Sequence, residues 1–293
     1  MILFVVCYVL FPQLAVLLLQ KTSLGEHVEQ VLQGVVQTPD EVNVFIVLQT
    51  FSTLGAFGVS TMAFSQLEAG NVLVNLRLNR VPRTGLILWG IAGILVVQPL
   101  VSYLAEAVDK LPLPESLQAI KSMQQMEDAI ICKLLDYTSP LRLGLMLLVM
   151  AVIPAVCEEM FFRGALAGDL FKEGVSLWVS LFISSLIFAL GHLHFSNFIP
   201  ILIIGMYLGY LYYCGSSLWL PIAVHFVNNA MAVVLYYLYN VKFVQQDLTK
   251  VTVPWWWAVI SLIMFVFVLY VISRRYGCIT NQFRADEEIF PVT

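Results

Sequence analysis

Charge is what this chain has least of. Only 12% of its residues are Asp, Glu, Lys or Arg, about half the share found in soluble domains. A water-facing surface of ordinary size is therefore excluded. The formal net charge of −4 offers no basic face, so a nucleic-acid partner is not expected. The five cysteines, Cys7, Cys132, Cys157, Cys214 and Cys278, are odd in number and show no C-x-x-C spacing. Neither a disulfide framework nor a cysteine-rich zinc site is expected, and small buried hydrophobes are the better use for them. No H-E-x-x-H occurs, no internal repeat stands out, and no low-complexity tract breaks the chain. The opening Met1-Ile2-Leu3-Phe4-Val5-Val6 lacks the positive region of a secretory signal and reads as a retained first membrane helix.

In place of charge there is apolar length. Hydrophobic residues make up 60% of the chain and the mean hydropathy is +0.86. A helix needs roughly 20 mostly apolar residues to cross the hydrocarbon core. Eight segments approach that length: 2–19, 44–64, 85–104, 143–162, 176–193, 198–214, 218–239 and 255–272. The sixth is short, which leaves seven as the other count. The expected fold is all-α, a polytopic membrane helix bundle of about eight transmembrane helices with an amphipathic interfacial helix. Three regions are expected: 1–140 with the N-terminal membrane helices and an amphipathic loop, 141–240 with the catalytic helices, and 241–293 with the last membrane helix and a tail.

Lys and Arg set the orientation. Arg77, Arg80 and Arg83 fall between the second and third spans, Arg163 and Lys172 between the fourth and fifth, and Arg274, Arg275 and Arg284 after the last. With eight spans these share one side with both termini, which are expected to be cytoplasmic. On the other side, after Pro112 and Pro114, apolar residues recur near helical period at Leu117, Ile120, Met123, Met126, Ile130 and Leu134. That pattern describes an amphipathic helix on the membrane surface, either a lid or a plain connector. Gly205-x-x-x-Gly209 allows close helix packing.

Ionisable and amide groups inside spans are costly and by default functional. Three stretches hold them. In Glu158-Glu159-x-x-x-Arg163, Glu159 and Arg163 lie four apart and can pair, whereas Glu158 points about 100° away. The bland alternative is a carboxylate pair at a helix end. In Phe188-x-x-x-His192, the two residues share a face, while His194 points nearly opposite unless the helix ends there. A histidine at the membrane–water boundary is the competing reading, and it suits His194 better. In His225-x-x-x-Asn229 the pair shares a face, with Asn228 able to replace Asn229. Interhelical hydrogen-bonding glue is the alternative there.

Spacing lifts these stretches above their separate alternatives. The break between the fourth and fifth helices is centred near Gly174 and Val175, and both Glu158 and His192 lie 17 residues from Val175. An antiparallel hairpin would return them to one level, provided that the fourth helix continues past Phe162 toward Phe171, bent by Pro154. A desolvated Glu158 has the raised pKa of a useful general base for water. His192 can hold that water, and His225 with Asn229 offers donors for an oxyanion. The same Glu158, His192 and His225 match a three-ligand catalytic zinc set, so one zinc ion is a candidate cofactor.

The three motifs, in this order, resemble the CPBP family of intramembrane proteases, which includes CAAX-type prenyl proteases and bacteriocin-processing or immunity proteins of the Abi type. The resemblance covers about residues 154–231. It implies an endopeptidase in which Glu158 activates water with His192 as its partner. Glu159 and Arg163, with Phe188, would shape the site, and His225 and Asn229 would stabilise the oxyanion. The expected partners are a peptide or membrane-protein substrate and the lipid bilayer, in the plasma membrane of a bacterium. Competing readings are a non-catalytic immunity or scaffold protein and a small-solute transporter. A cysteine protease built on Cys157 is disfavoured, because Cys157 precedes Glu158 directly and points elsewhere.

Overall fold

The computed structural model describes residues 2–112, 118–246 and 251–277, and every regular element among them is a helix. Among the described residues, nine longer helices organise the fold. They are α1 (Ile2–Leu19), α2 (Pro39–Glu68), α3 (Thr84–Asp109), α4 (Gln118–Leu135), α5 (Pro140–Phe171), α6 (Leu177–Gly191), α7 (Phe198–Gly215), α8 (Trp219–Asn240) and α9 (Trp255–Tyr276). All except α4 and α6 are long and apolar enough to cross a membrane; α6 is apolar but has only 15 residues. The protein is thus an integral, multi-pass, all-α membrane protein. The short segment is the fifth apolar run rather than the sixth. The tail with Cys278 and Arg284, and the start of the amphipathic run at Pro114 and Leu117, lie outside the described residues.

Local sequence explains where these helices begin, bend and stop. At the start of α2, Thr38 Oγ1 accepts from the Glu41 backbone N–H, and the Glu41 carboxylate accepts from the N–H groups of Thr38 and Gln37. With Pro39 in the first turn, this is a complete capping box. Helix α5 continues past Phe162 to Phe171, as the hairpin spacing requires. Pro154 has no N–H to give and its ring crowds the preceding turn, and a π-helical turn at Leu148–Val152 stands just before it. A second π-helical stretch, Met160–Leu166, follows the paired glutamates. The helix stops at Gly174, whose φ of +86° suits a residue without a side chain; Val175 N–H there donates back to Leu170 O at 3.1 Å.

The chain divides into two compact units. The first comprises Met1–Gly70, Ser122–Phe161 and Asn229–Lys250, and the second Asn71–Lys121, Phe162–Asn228 and Val251–Thr293. The first unit packs around Val44, Leu135 and Met146. Helix α4 contributes to that core through Leu134 and Leu135, with Ile130 and Ile131 packed against it, while Met123 and Met126 stay exposed. The amphipathic helix is therefore anchored by its C-terminal half. Asn240 Nδ2 fixes that end by donating to Leu135 O at 2.6 Å and Tyr137 O at 3.2 Å.

The second unit packs around Ile94, Val97, Leu208, Leu211, Leu220 and Val224. Small residues let its helices meet closely. A β-carbon on Gly205 would lie 3.1 Å from Ser185 Cβ, and one on Gly209 would lie 3.0 Å from Leu181 Cδ2, so α7 packs against α6 through this pair of glycines. Large apolar side chains remain exposed along α1 and α9, including Leu10, Leu17, Ile263 and Phe267. That is the surface expected where lipid is the solvent.

Two cysteines correct the expectation that all five serve as small buried hydrophobes. Cys132 is exposed, and Cys214 is disulfide-bonded.

Candidate active site

The site residues begin on α5. Within the first unit, Glu158 is half-buried, Glu159 is fully buried, and Cys157 is buried between them and the rest of the unit. A β-carbon on Gly58 of α2 would stand 3.1 Å from Cys157 Sγ, so the thiol packs against a neighbouring helix backbone. That position leaves Cys157 in a packing role. Asn229 belongs to the same unit and is half-buried on α8.

In the second unit the π-helical stretch of α5 carries Phe162 and Arg163. A wide turn shifts carbonyls out of the ordinary ladder, and Ser184 Oγ of α6 donates to Phe162 O at 2.6 Å. Arg163 is only 1% exposed. Its Nη2 donates to Gly205 O at 2.9 Å, and its guanidinium carbon lies 4.9 Å from the centroid of the Phe188 ring. A buried cation needs such partners, and the face of an aromatic ring in a dry environment supplies one.

Phe188 is the centre of this arrangement. Its ring meets Phe162 at 5.0 Å and 74°, His192 at 4.6 Å and 71°, and His225 at 5.9 Å and 88°. Both imidazoles are therefore set edge-on to one phenyl ring, and the Arg163 guanidinium covers it. The structure brings Arg163, Phe188, His192 and His225 together within one unit. Glu158, Glu159 and Asn229 belong to the other.

The histidines differ in setting. His225 is buried, in the second turn of α8. His192 is exposed and forms the C-cap of α6, which ends at Gly191. Its Nδ1 lies 2.8 Å from Phe188 O. A carbonyl only accepts, so Nδ1 carries the hydrogen and neutral His192 keeps its lone pair on Nε2. That nitrogen can accept from water or bind a cation. His194 is held differently: after Leu193 turns the chain with φ of +50°, its Nδ1 accepts from Asn197 N–H at 3.3 Å. It is a turn residue. The same loop is tied down by Ser196 Oγ, which donates to Asp109 at 3.1 Å, while Lys121 pairs with that carboxylate at 3.2 Å.

All seven motif residues lie in one stretch of the chain, and that stretch is similar to a known family. Residues 140–231 match the family model "Type II CAAX prenyl endopeptidase Rce1-like". The match covers about a third of the chain, and that third is the stretch in which all seven motif residues lie. No curated protein and no solved structure matches the chain. Among the described residues no group of three His, Cys, Asp or Glu side chains is gathered as a metal site.

One polar residue of the second unit escaped the motif reading. Gln98, midway along α3, donates through Nε2 to Asn228 Oδ1 at 3.0 Å and to Ile94 O at 2.9 Å. An amide in an otherwise apolar run, next to Pro99, was the signal for it.

Proposed function

We propose that this protein is an intramembrane endopeptidase in which Glu158 activates a water molecule to attack a peptide carbonyl. In this reading Glu158 takes the proton of the water as the new C–O bond forms and passes it to the leaving amine as the C–N bond breaks. His192, through its Nε2 lone pair, holds the attacking water. His225 and Asn229 donate to the oxyanion, and Glu159, Arg163 and Phe188 hold the surrounding side chains in place. The observation that carries this reading is the pair of imidazoles set on one buried phenyl ring inside the family-matched segment. The substrate is a peptide or membrane protein presented from the bilayer. The chain resides in the plasma membrane of a bacterium, with both termini cytoplasmic.

The test compares membrane-protein N- and C-termini in cells carrying wild type and Glu158→Gln. New termini that vanish in the Gln variant, at equal protein level, support the assignment. Termini that persist in the variant sink Glu158 as the base.

A second reading has one zinc ion held by Glu158, His192 and His225, polarising the carbonyl and the water when bound. The hydrogen bond from His192 Nδ1 to a backbone carbonyl favours it, because metal-binding histidines are commonly oriented this way. Chelation followed by zinc add-back separates the two: loss and recovery of cleavage identifies the metal, and indifference identifies the glutamate alone.

A further inference from the structure

The membrane interior gives an amide side chain no water to fall back on, so its partner is a strong constraint. Gln98 has two Nε2 hydrogens, and both are committed: one to Ile94 O at 2.9 Å on its own helix, the other to Asn228 Oδ1 at 3.0 Å on α8. This fixes the Asn228 amide with its oxygen toward α3. Asn228 lies three residues after His225, one turn along the same side of α8. His225 in turn packs perpendicular to Phe188, ring centroids 5.9 Å apart. A second contact holds the same pair of helices nearby. A β-carbon on Gly90 of α3 would lie 2.9 Å from Val224 Cγ2, so the Val224 side chain of α8 packs directly on the α3 backbone there. One contact sets the distance between the helices; the amide pair sets the rotation of α8.

We infer that Gln98 is a positioning residue for the peptidase, acting through Asn228 to set the rotation of α8 that places His225 against Phe188. The inference rests on the proposed peptidase site, yet Gln98 lies outside the matched segment 140–231. It gives the N-terminal part of the chain a defined task in the site.

The experiment uses the full chain in lipid nanodiscs, labelled with carbon-13 at the histidine Cε1 position. The chain has four histidines, His27, His192, His194 and His225, so the spectrum has four signals to assign. Gln98→Leu removes the donor. Gln98→Asn withdraws it by one methylene, Asn228→Gln adds one from the other side, and the double variant exchanges the two side chains and restores the reach. Expected for Gln98→Leu is a displaced His225 signal with His27 unmoved. On an internally quenched prenylated C-a-a-X peptide, kcat falls by roughly ten-fold or more while KM changes little, as for a misplaced catalytic group. The exchanged pair brings both readouts back to within about two-fold of wild type, beyond either single variant.

An unmoved His225 signal in Gln98→Leu overturns the inference, and so does an exchanged pair no better than its single components. If Gln98→Leu fails to fold, Gln98→Asn carries the same spectral test. A wild-type protein that cleaves nothing refutes the peptidase reading instead, and the histidine spectrum still decides the positioning.

Discussion

Replacing Phe188 tests the site where its geometry is densest. The side chain is 3% exposed and touches Phe162, His192, His225 and Arg163. Phe188→Ala removes a buried ring at a typical cost of about 3–5 kcal/mol. Of that, the desolvated guanidinium on the ring face accounts for up to about 2 kcal/mol. Phe188→Leu is the sharper variant. It keeps most of the apolar volume, so it avoids most of the cavity cost and loses chiefly the cation–π contribution of up to about 2 kcal/mol. It nevertheless removes the aromatic ring against which both imidazoles pack. Unfolding in a denaturing detergent titration reads the first effect, and turnover of a quenched peptide reads the second. The Leu variant should be less destabilised than the Ala variant and lose roughly ten-fold or more in kcat, the scale seen when catalytic groups are misplaced. Wild-type turnover in Phe188→Leu would refute Phe188 as the common support of the histidines. A stability loss under about 1 kcal/mol in Phe188→Ala would refute the packing itself.

Two further outcomes follow from the same packing arguments. Gly205→Val places a side chain where a β-carbon already lies 3.1 Å from Ser185 Cβ and 3.4 Å from Arg163 Nη2. It should cost about 1–3 kcal/mol by overpacking, whereas Gly144→Ala, which meets nothing within 4 Å, should be neutral or slightly stabilising in the same detergent titration; equal effects would discount the α6–α7 contact. The Tyr137 hydroxyl is buried without a hydrogen-bond partner among the described residues, and burial pushes its pKa up to about 12. The folded value stands above the unfolded value of about 10, so the stability tied to the neutral phenol is complete below pH 10 and is lost as pH climbs toward 12. Tyr137→Phe should lack that loss and be no less stable at neutral pH, and parallel declines in both proteins over this window would count against it.

How far the sequence carried is best seen element by element. Apolar runs located most ends of the membrane helices to within about five residues, the end of α5 excepted, because crossing lipid imposes a length that composition cannot hide. Gly174 marked the hairpin break because a left-handed residue there favours glycine. The extension of α5 to Phe171 followed from requiring Glu158 and His192 to share a level. The π-helical turns were invisible, since shifting a hydrogen bond by one residue leaves composition and hydropathy unchanged. The short fifth span was also missed, because its apolar run continues past the point where His192 caps the helix. Phe188 was legible as a neighbour of His192 one turn away, but its contact with His225 joins residues 37 apart and needed the fold. Gln98 and Asn228 are 130 residues apart, and nothing local announces the pairing.

The wide turn at Met160–Leu166 makes α5 a counted object. A π-helical turn spends about one residue more than an α-helical turn to cover its path. Deleting one residue between Met160 and Leu166 would let the stretch relax into ordinary α-helix. The helix beyond it, as far as the stop at Gly174, would then keep nearly its place, and each further deletion would swing it by about 100° and draw it back by about 1.5 Å. The number of residues from Glu158 to that stop is therefore itself a specification, separate from their identities. Among relatives it should be kept as a fixed length even where the apolar side chains that fill it drift freely.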